Sequence, residues 1–383
     1  MLPATRWLSA LPTVALLALA CRPAAPTGAP PSAPPAAASA QAASQTEKTA
    51  SAAPATVGTR PLDPPLNPPV TVRVGMLGQT SDAGIFLALE KGYFREQGLE
   101  IETSIFQTAQ QMVAPLGAGQ LDVGGGATSA ALLNAVAREV PIRIVADKGS
   151  TPPGFGFQGL LVRKDLLDSG AIRDCASFKG RRVAITGPGV SQEPGLEHAL
   201  QDCGLGVKDL ELIPMGFPDM PNAARNGAID AAMMIEPLLT NAVSAGVFGV
   251  YKRTDEFYPN QQIAVILYAP HLVTQQREVG ERFMLAYVKG LRDHWDAYTR
   301  GVGKAELLDI LSRNTAVKDK ALLEQLVPVG LNPDGYVNMS TFSDDVEWWT
   351  DHGYVQGRVD PAQVVDNSFV DYAVERLGRY TPR

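Results

Sequence analysis

Three segments carry small or hydroxyl-bearing residues where a predicted strand ends and a predicted helix begins: 79–82, 126–129 and 186–192. Each helix start offers unpaired backbone N–H groups and the positive end of a helix dipole. Glycine lets a backbone approach a guest closely, and Thr or Ser hydroxyls complete the hydrogen bonds. Such a site can hold an oxyanion or a polar head group without a neutralising arginine. Each segment alone could be a helix cap and a tight turn, so the predicted binding site depends on all three together.

Catalytic and metal motifs are poorly supported. The four histidines are isolated from one another and from the cysteines at metal-ligand spacing: His198, His271, His294 and His352. The glycine run 124–126 lacks the spacing of a dinucleotide fingerprint, and the sequence contains no Gly-Lys-Ser/Thr phosphate loop. Ser191 follows a turn but lacks the G-x-S-x-G pattern of a hydrolase nucleophile. We therefore expect no catalytic residue, no metal and no cofactor.

Length and charge narrow the class of protein. The chain has 383 residues, of which 45% are hydrophobic, which is enough for a large core and indicates two domains or lobes. Its formal net charge is −7, without a long basic block. A nucleic-acid partner would require a basic surface, so none is expected.

The N-terminus is typical of an exported protein. Arg6 precedes a short apolar run at 11–20. That run is too short for a membrane span, which needs about 20 apolar residues, so residues 1–20 are predicted to be a signal peptide. Small residues before Cys21 resemble a bacterial lipoprotein signal, in which Cys21 is lipidated and anchors the protein at the periplasmic or cell-surface side of a membrane. Residues 18–20 also fit an ordinary cleavage site, which would leave Cys21 unmodified.

The next segment, 21–69, is dominated by Ala, Pro, Ser, Thr and Gly. It cannot bury enough apolar surface to offset its chain entropy, so a disordered tether is predicted.

Cys175 and Cys203 would lie in an oxidising compartment, where a disulfide between them would contribute roughly 3 kcal/mol to stability. Two separate buried thiols are the alternative.

From residue 70 onward, predicted strands alternate with predicted helices. Residues 70–77 alternate in strand fashion, and helix-capping residues at 79–82 follow them. The same pattern starts again after Pro152-Pro153. Repeated strand–helix alternation predicts an α/β fold of two lobes, each with a mostly parallel sheet flanked by helices.

Several segments together resemble a known family, the solute-binding proteins of nitrate, sulfonate, taurine and bicarbonate importers and of thiamine-pyrimidine binders. The segments are FLALEKGYF (86–94), QGLEIE (97–102), GQLDVG (119–124), NAVAR (134–138), FKGRRVA (178–184), GAIDAA (227–232) and Glu236-Pro237. The resemblance implies the type II periplasmic-binding-protein fold. Lobe one would comprise 70–152 and 265–383, and lobe two 153–264, with hinges near 151–156 and 260–263.

The resemblance also implies which residues bind and with what partners. The expected ligand contacts are Gln79, Thr80, Asp82, Thr128, Ser129, Thr186, Val190, Ser191 and Glu236. Ile235 stands where the family often has Trp, so one aromatic wall of the pocket is expected to be missing. The implied protein is a monomer that captures a small molecule and delivers it to an ABC permease and ATPase complex. A ligand-sensing domain and an enzyme similar to the thiamine-pyrimidine synthases are the alternatives.

Two carboxylates bear on the ligand's charge. If Asp82 and Glu236 face the pocket, they oppose a simple anion and favour an amino group or a ring N–H donor. In the alternative, Asp82 caps its helix and Glu236 holds the backbone near the hinge. The sequence therefore favours a small polar organic molecule, such as taurine, another sulfonate or a pyrimidine, over an inorganic anion.

Overall fold

A computed structural model describes residues 62–382. The predicted signal peptide (1–20), Cys21 and most of the predicted tether lie outside these residues. Near the tether's expected end the structure differs from the expectation, because Leu66 donates from its backbone N to Gln97 O (3.1 Å) and Asp63 pairs with Arg376 (2.9 Å). These contacts hold the last residues of the predicted tether against the folded part. Within residues 62–382, every helix is too short or too polar to cross a bilayer.

Within residues 62–382, ten strands form two separate sheets of five. The strands are β1 (Val70–Met76), β2 (Leu99–Ile105), β3 (Val123–Ala127), β4 (Arg143–Ser150), β5 (Gln158–Arg163), β6 (Arg182–Ile185), β7 (Glu211–Pro214), β8 (Ala231–Ile235), β9 (Phe248–Arg253) and β10 (Gln262–Tyr268). The first sheet has the order β2-β1-β3-β10-β4, and the second has the order β7-β6-β8-β5-β9. We call the parts of the chain around these sheets lobe one and lobe two. The residue boundaries predicted for the lobes stay a prediction.

The fold class predicted from the sequence is confirmed, but both sheets are mixed. Strands β1, β2 and β3 are parallel, whereas β10 runs antiparallel to β3 and β4. In the second sheet β6 pairs in parallel with β7 and β8, and β5 runs antiparallel to β8 and β9. Both β5 and β10 begin just after the chain has crossed from the other lobe. They therefore do not follow the helical crossover that makes neighbouring strands parallel.

In the part of the chain that the structure describes, sixteen α-helices cover the sheets. They are α1 (Ala83–Glu90), α2 (Tyr93–Glu96), α3 (Gln110–Gly117), α4 (Ala130–Ala137), α5 (Lys164–Asp168), α6 (Gln192–Leu200), α7 (Met220–Arg225), α8 (Leu238–Ser244), α9 (Thr254–Phe257), α10 (Pro270–Thr274), α11 (Arg277–Thr299), α12 (Lys304–Asn314), α13 (Lys320–Leu323), α14 (Met339–Asp351), α15 (Pro361–Val364) and α16 (Ser368–Leu377). The longest, α11, buries Phe283, Tyr287 and Leu291 along one face, as the 3.6-residue helical period allows.

The lobes are joined by two chain crossings that are bonded to each other. Asn260 N donates to Thr151 O (2.7 Å), and Thr151 Oγ1 donates to Tyr258 O (3.1 Å). A third contact joins the C-terminal part to the same region, where Ser150 N donates to Gly330 O (2.8 Å). The crossings are therefore hydrogen-bonded to each other, and we refer to them as the predicted hinge.

The two cysteines of lobe two are neighbours in space. The structure pairs Cys175 with Cys203, whose Cα atoms lie 6.0 Å apart, a separation that disulfides commonly have. Each cysteine lies in a short 3₁₀ turn, at Cys175–Phe178 and Gln201–Cys203. A disulfide between them would link the segment just before β6 to the segment just after α6.

Candidate functional site

A small cavity lies between the lobes, beside β10. Its lining comes from both of them: Leu77, Ser81, Thr108, Ala109, Ala127, Phe157, Gln158, Thr186, Ser191, Gln192, Phe217, Ile235, Ile263 and Ala264. It offers about 20 Å³ to the centres of water molecules, room for roughly one water. This is far too little for an organic ring, and we call this arrangement of the two lobes the closed state.

The cavity wall is uncharged and partly aromatic. Phe157 and Phe217 supply two rings, and Ser, Thr and Gln side chains supply the polar atoms. Phe217 belongs to a short 3₁₀ turn (Phe217–Asp219) of lobe two, and Phe157 lies just before β5. Ile235 also lines the cavity, as an aliphatic side chain.

Two of the predicted contacts, Thr186 and Ser191, line the cavity. Thr186 Oγ1 donates to Gln192 Oε1 (2.8 Å), and Ser191 Oγ donates to Ile263 O (3.2 Å). Because each hydroxyl uses its proton on the protein, its oxygen can still accept a hydrogen bond from a guest.

Thr128, Ser129 and Val190 instead connect the lobes directly. Ser191 N donates to Thr128 O (3.2 Å), and Ser129 forms an isolated antiparallel bridge with Val190. The Ser129 hydroxyl also caps α4 by accepting from Leu132 N (3.4 Å). In the closed state these residues bond to one another behind the cavity wall.

The glycine run 124–126 has a packing explanation. A Cβ at these positions would lie 2.7 Å from Leu116 Cδ1, 2.6 Å from Lys148 Cε and 2.5 Å from Ala109 Cβ, respectively. Such separations are shorter than van der Waals contact. The close neighbours are therefore protein side chains, and the glycines let lobe one pack around β3.

Asp82 is paired within the protein. Its Oδ1 lies 2.9 Å from Lys148 Nζ, both side chains are fully buried, and Oδ2 accepts from Gln79 N (2.9 Å). Lys148 Nζ also donates to Ser81 Oγ (2.9 Å), which leaves the Ser81 proton free to point into the cavity. The charge of Asp82 is thus neutralised by Lys148, a residue that the sequence analysis did not identify.

Glu236 is also paired. Its carboxylate accepts from Thr240 N (3.0 Å) and Thr240 Oγ1 (2.8 Å), and Glu236 Oε1 lies 3.2 Å from Arg253 Nη1. Burial raises the pKa of Glu236, and the nearby Arg253 opposes this shift. Its backbone oxygen accepts from Thr80 Oγ1 (3.0 Å), which adds a further contact between the lobes. Neither carboxylate is left to face a cationic guest, so the sequence-based reason for an amino ligand does not hold in the closed state.

Residues of the C-terminal part of the chain hydrogen-bond to the lobe-two turn that carries Ser191 or to side chains that hold it. Glu193 Oε2 accepts from Gly189 N (2.7 Å), and its Oε1 accepts from Tyr354 OH (2.9 Å). Gln261 Nε2, at the hinge, donates to Ser191 O (2.7 Å) and to Asp345 Oδ2 (3.1 Å). The cavity, the hinge and the C-terminal helices therefore share one hydrogen-bond network.

Sequence reasoning missed Phe157, Phe217, Gln158 and Lys148. One signal was available, because Asp147 and Lys148 directly follow the apolar run 144–146 of β4, and a charge that continues a buried strand needs a partner. The described residues include no group of three His, Cys, Asp or Glu side chains placed to hold a metal.

The comparisons with known proteins agree with this architecture. A protein of Brucella abortus that is named as a binding protein is 25% identical over 305 residues, which cover 76% of this chain and 89% of that protein. The nitrate-binding protein NrtA of Synechocystis superposes with a TM-score of 0.69 at 16% identity, covering 80% and 89% of the two chains. A 4-amino-5-hydroxymethyl-2-methylpyrimidine phosphate synthase of Saccharomyces cerevisiae is 32% identical over 156 residues, 40% of this chain and 42% of the enzyme.

A family profile covers more than half of the chain. The profile, described as NMT1/THI5 like, matches residues 79–296, from the loop after β1 into the last turns of α11. The matched part contains both sheets except β1, together with all the residues that line the cavity except Leu77. The chain thus belongs to the NMT1/THI5-like family and has the two-lobed α/β fold of the periplasmic binding proteins.

Proposed function

We propose that this protein is the extracytoplasmic solute-binding component of an ABC importer, which encloses a small uncharged organic molecule between its lobes and delivers it to a permease. One observation carries the proposal: both lobes contribute to a cavity at the chain crossings. Ligand contacts to both lobes would favour the closed form, and the membrane partner could sense that change of shape. The Brucella relative, named as a binding protein, supports this function over most of the chain.

The lining supports a planar, neutral guest. Ser81 can donate a hydrogen bond, Thr186 and Ser191 can accept one, and Gln158 Nε2 donates to none of the described residues. Phe157 and Phe217 offer ring faces. A charged sulfonate or nitrate would find no unpaired cation in this wall, because Lys148 is engaged by Asp82. A pyrimidine carries both donors and acceptors on a flat ring, so it suits the cavity better.

For the predicted contact residues we propose two roles. Thr186 and Ser191 touch the guest directly. The other predicted residues stabilise the closed form: Gln79, Thr80, Asp82, Thr128, Ser129, Val190 and Glu236. Thr80 and Thr128 do this through bonds that reach Glu236 O and Ser191 N in the other lobe.

Isothermal titration calorimetry tests the ligand class. The folded chain from residue 62 onward, preceded by its natural tether, is titrated with 4-amino-5-hydroxymethyl-2-methylpyrimidine, taurine, an alkanesulfonate, nitrate and bicarbonate. We expect binding of the pyrimidine and none of nitrate. Small-angle scattering should show a smaller radius of gyration on addition of the bound compound. Binding of nitrate or a sulfonate alone would reject the neutral-guest proposal.

For the N-terminus we propose that Cys21 is lipidated and that the tether separates the folded part from the membrane. Mass spectrometry of the protein isolated from membranes should find a diacylglyceryl group on Cys21. The variant Cys21→Ser should move the protein to the soluble fraction. An unmodified cysteine in the mature protein would instead support plain secretion.

An enzymatic function has one observation in its favour, the 32% identity with the yeast synthase over 156 residues. That match covers less than half of either chain, so we propose binding without catalysis. Incubation of the protein with iron under air, followed by mass spectrometry for a pyrimidine product, decides between the two. Product formation would establish the synthase-like alternative.

A further inference from the structure

Gln110 occupies an unusual position at the edge of the cavity. It is the first residue of α3, directly after Thr108 and Ala109, which line the cavity. Its side chain reaches across to lobe two, where a Cβ on Gly187 would lie 2.6 Å from Gln110 Nε2. Gly187 follows Thr186, another lining residue. The carboxamide of Gln110 therefore lies between the lobes, beside the enclosed space.

Both polar atoms of this carboxamide are buried, and neither Oε1 nor Nε2 has a hydrogen-bond partner among the described residues. A carboxamide offers two donors and a carbonyl acceptor, and leaving such groups unpaired in a protein interior costs free energy. Buried groups of this kind are uncommon in folded proteins, and each one requires an explanation.

Among the glutamines of the described residues, Gln79 and Gln261 also have a buried Oε1 without a partner, but Gln110 lacks partners at both Oε1 and Nε2. Gln192 Oε1 accepts from Thr186 N (2.7 Å), and its Nε2 donates to Met233 O (2.9 Å). Gln111, the next residue on α3, accepts at Oε1 from Gln107 N (3.0 Å). Those two amides maintain local backbone structure, whereas the amide of Gln110 has no such role in the closed state.

We propose that Gln110 is a ligand-binding and specificity-determining residue, whose carboxamide pairs with a guest that presents a donor and an acceptor side by side. This inference rests on the proposed solute-binding function. Glutamine recognises such an edge with two bonds, as it does on adenine. An aminopyrimidine or a primary amide has this edge. The oxygens of nitrate and sulfonates only accept, so they would leave Gln110 Oε1 unpaired.

Removal of the carboxamide tests the inference. The variant Gln110→Leu keeps similar volume and loses both polar atoms. Calorimetry with 4-amino-5-hydroxymethyl-2-methylpyrimidine should show an affinity at least 10-fold lower than in the wild type. The matched control is Gln325→Leu, which makes the same change on the surface of lobe one, where Gln325 Nε2 donates to Ala321 O. The control should bind like the wild type.

Thermal unfolding without ligand provides a second, independent measurement. Because Gln110→Leu removes unpaired buried groups, its melting temperature should equal or exceed that of the wild type. A clearly lower melting temperature would mean that the amide is satisfied within the protein, for example by water, and would overturn the inference.

The outcomes separate this inference from the proposed function. Wild-type affinity of Gln110→Leu for the pyrimidine overturns the role of Gln110 and leaves the solute-binding function intact. Binding of taurine or nitrate by the wild type, without binding of the pyrimidine, overturns the role of Gln110 and the neutral-guest class. If the wild type binds no compound of the panel, the proposed ligand class fails, and a lower melting temperature of Gln110→Leu then rejects the inference by itself.

Discussion

Replacing Lys148 by Met should strongly destabilise lobe one. Lys148 and Asp82 are both fully buried and lie 2.9 Å apart. Lys148→Met would leave the Asp82 carboxylate in the interior without its cation, and breaking a buried pair in this way costs about 3–5 kcal/mol. Gln79 N still donates to Asp82 Oδ2, so we expect a loss near the lower end, about 3 kcal/mol. Urea denaturation followed by circular dichroism measures the change.

A double-mutant cycle isolates the pair. The double variant Lys148→Met/Asp82→Asn leaves no unpaired charge at these two positions, so its loss should be smaller than the sum of the two single losses by at least about 2 kcal/mol. The surface control is Lys164→Met, which removes an exposed pair with Asp168 four residues along α5 and should cost less than about 0.5 kcal/mol. If Lys148→Met lowers the free energy of unfolding by no more than this control does, or if the two single losses simply add, the buried pair does not stabilise lobe one.

Three further changes test other parts of the structure. Gly125→Ala places a Cβ 2.6 Å from Lys148 Cε and should therefore lower the free energy of unfolding by about 1–3 kcal/mol. Urea denaturation measures this change, and an unchanged free energy of unfolding would refute the packing explanation of this glycine. Burial raises the pKa of Asp147 from 3.8 to about 6, so the folded form binds this proton more tightly than the unfolded form does. The resulting contribution to the free energy of unfolding, roughly 3 kcal/mol, is present below pH 4 and is lost as the pH rises to 6. Asp147→Asn should remove that pH dependence in denaturation curves between pH 4 and 7. Reduction of the Cys175–Cys203 pair should cost roughly 3 kcal/mol, and mass spectrometry without reductant should find both thiols blocked to alkylation.

The fold class could be predicted because it depends on local patterns. In β1 the side chains of Val72 and Val74 are buried and that of Thr71 is exposed, as the alternation predicted. Strand direction within the sheets could not be predicted for β5 and β10, since it depends on where the chain re-enters a lobe after crossing the hinge. Pattern along the chain carries no information on that geometry.

For the site, the sequence by itself determined that the turn at 186–192 carries hydroxyls at a helix start, and Thr186 and Ser191 of this turn do line the cavity. Only the tertiary structure decided that Asp82 and Glu236 are neutralised, by Lys148 and Arg253 on other strands. It also decided that Phe157 and Phe217 line the cavity. The physical reason is that charge compensation and enclosure depend on distances through space, and the fold brings together residues whose separation along the chain gives no sign of contact.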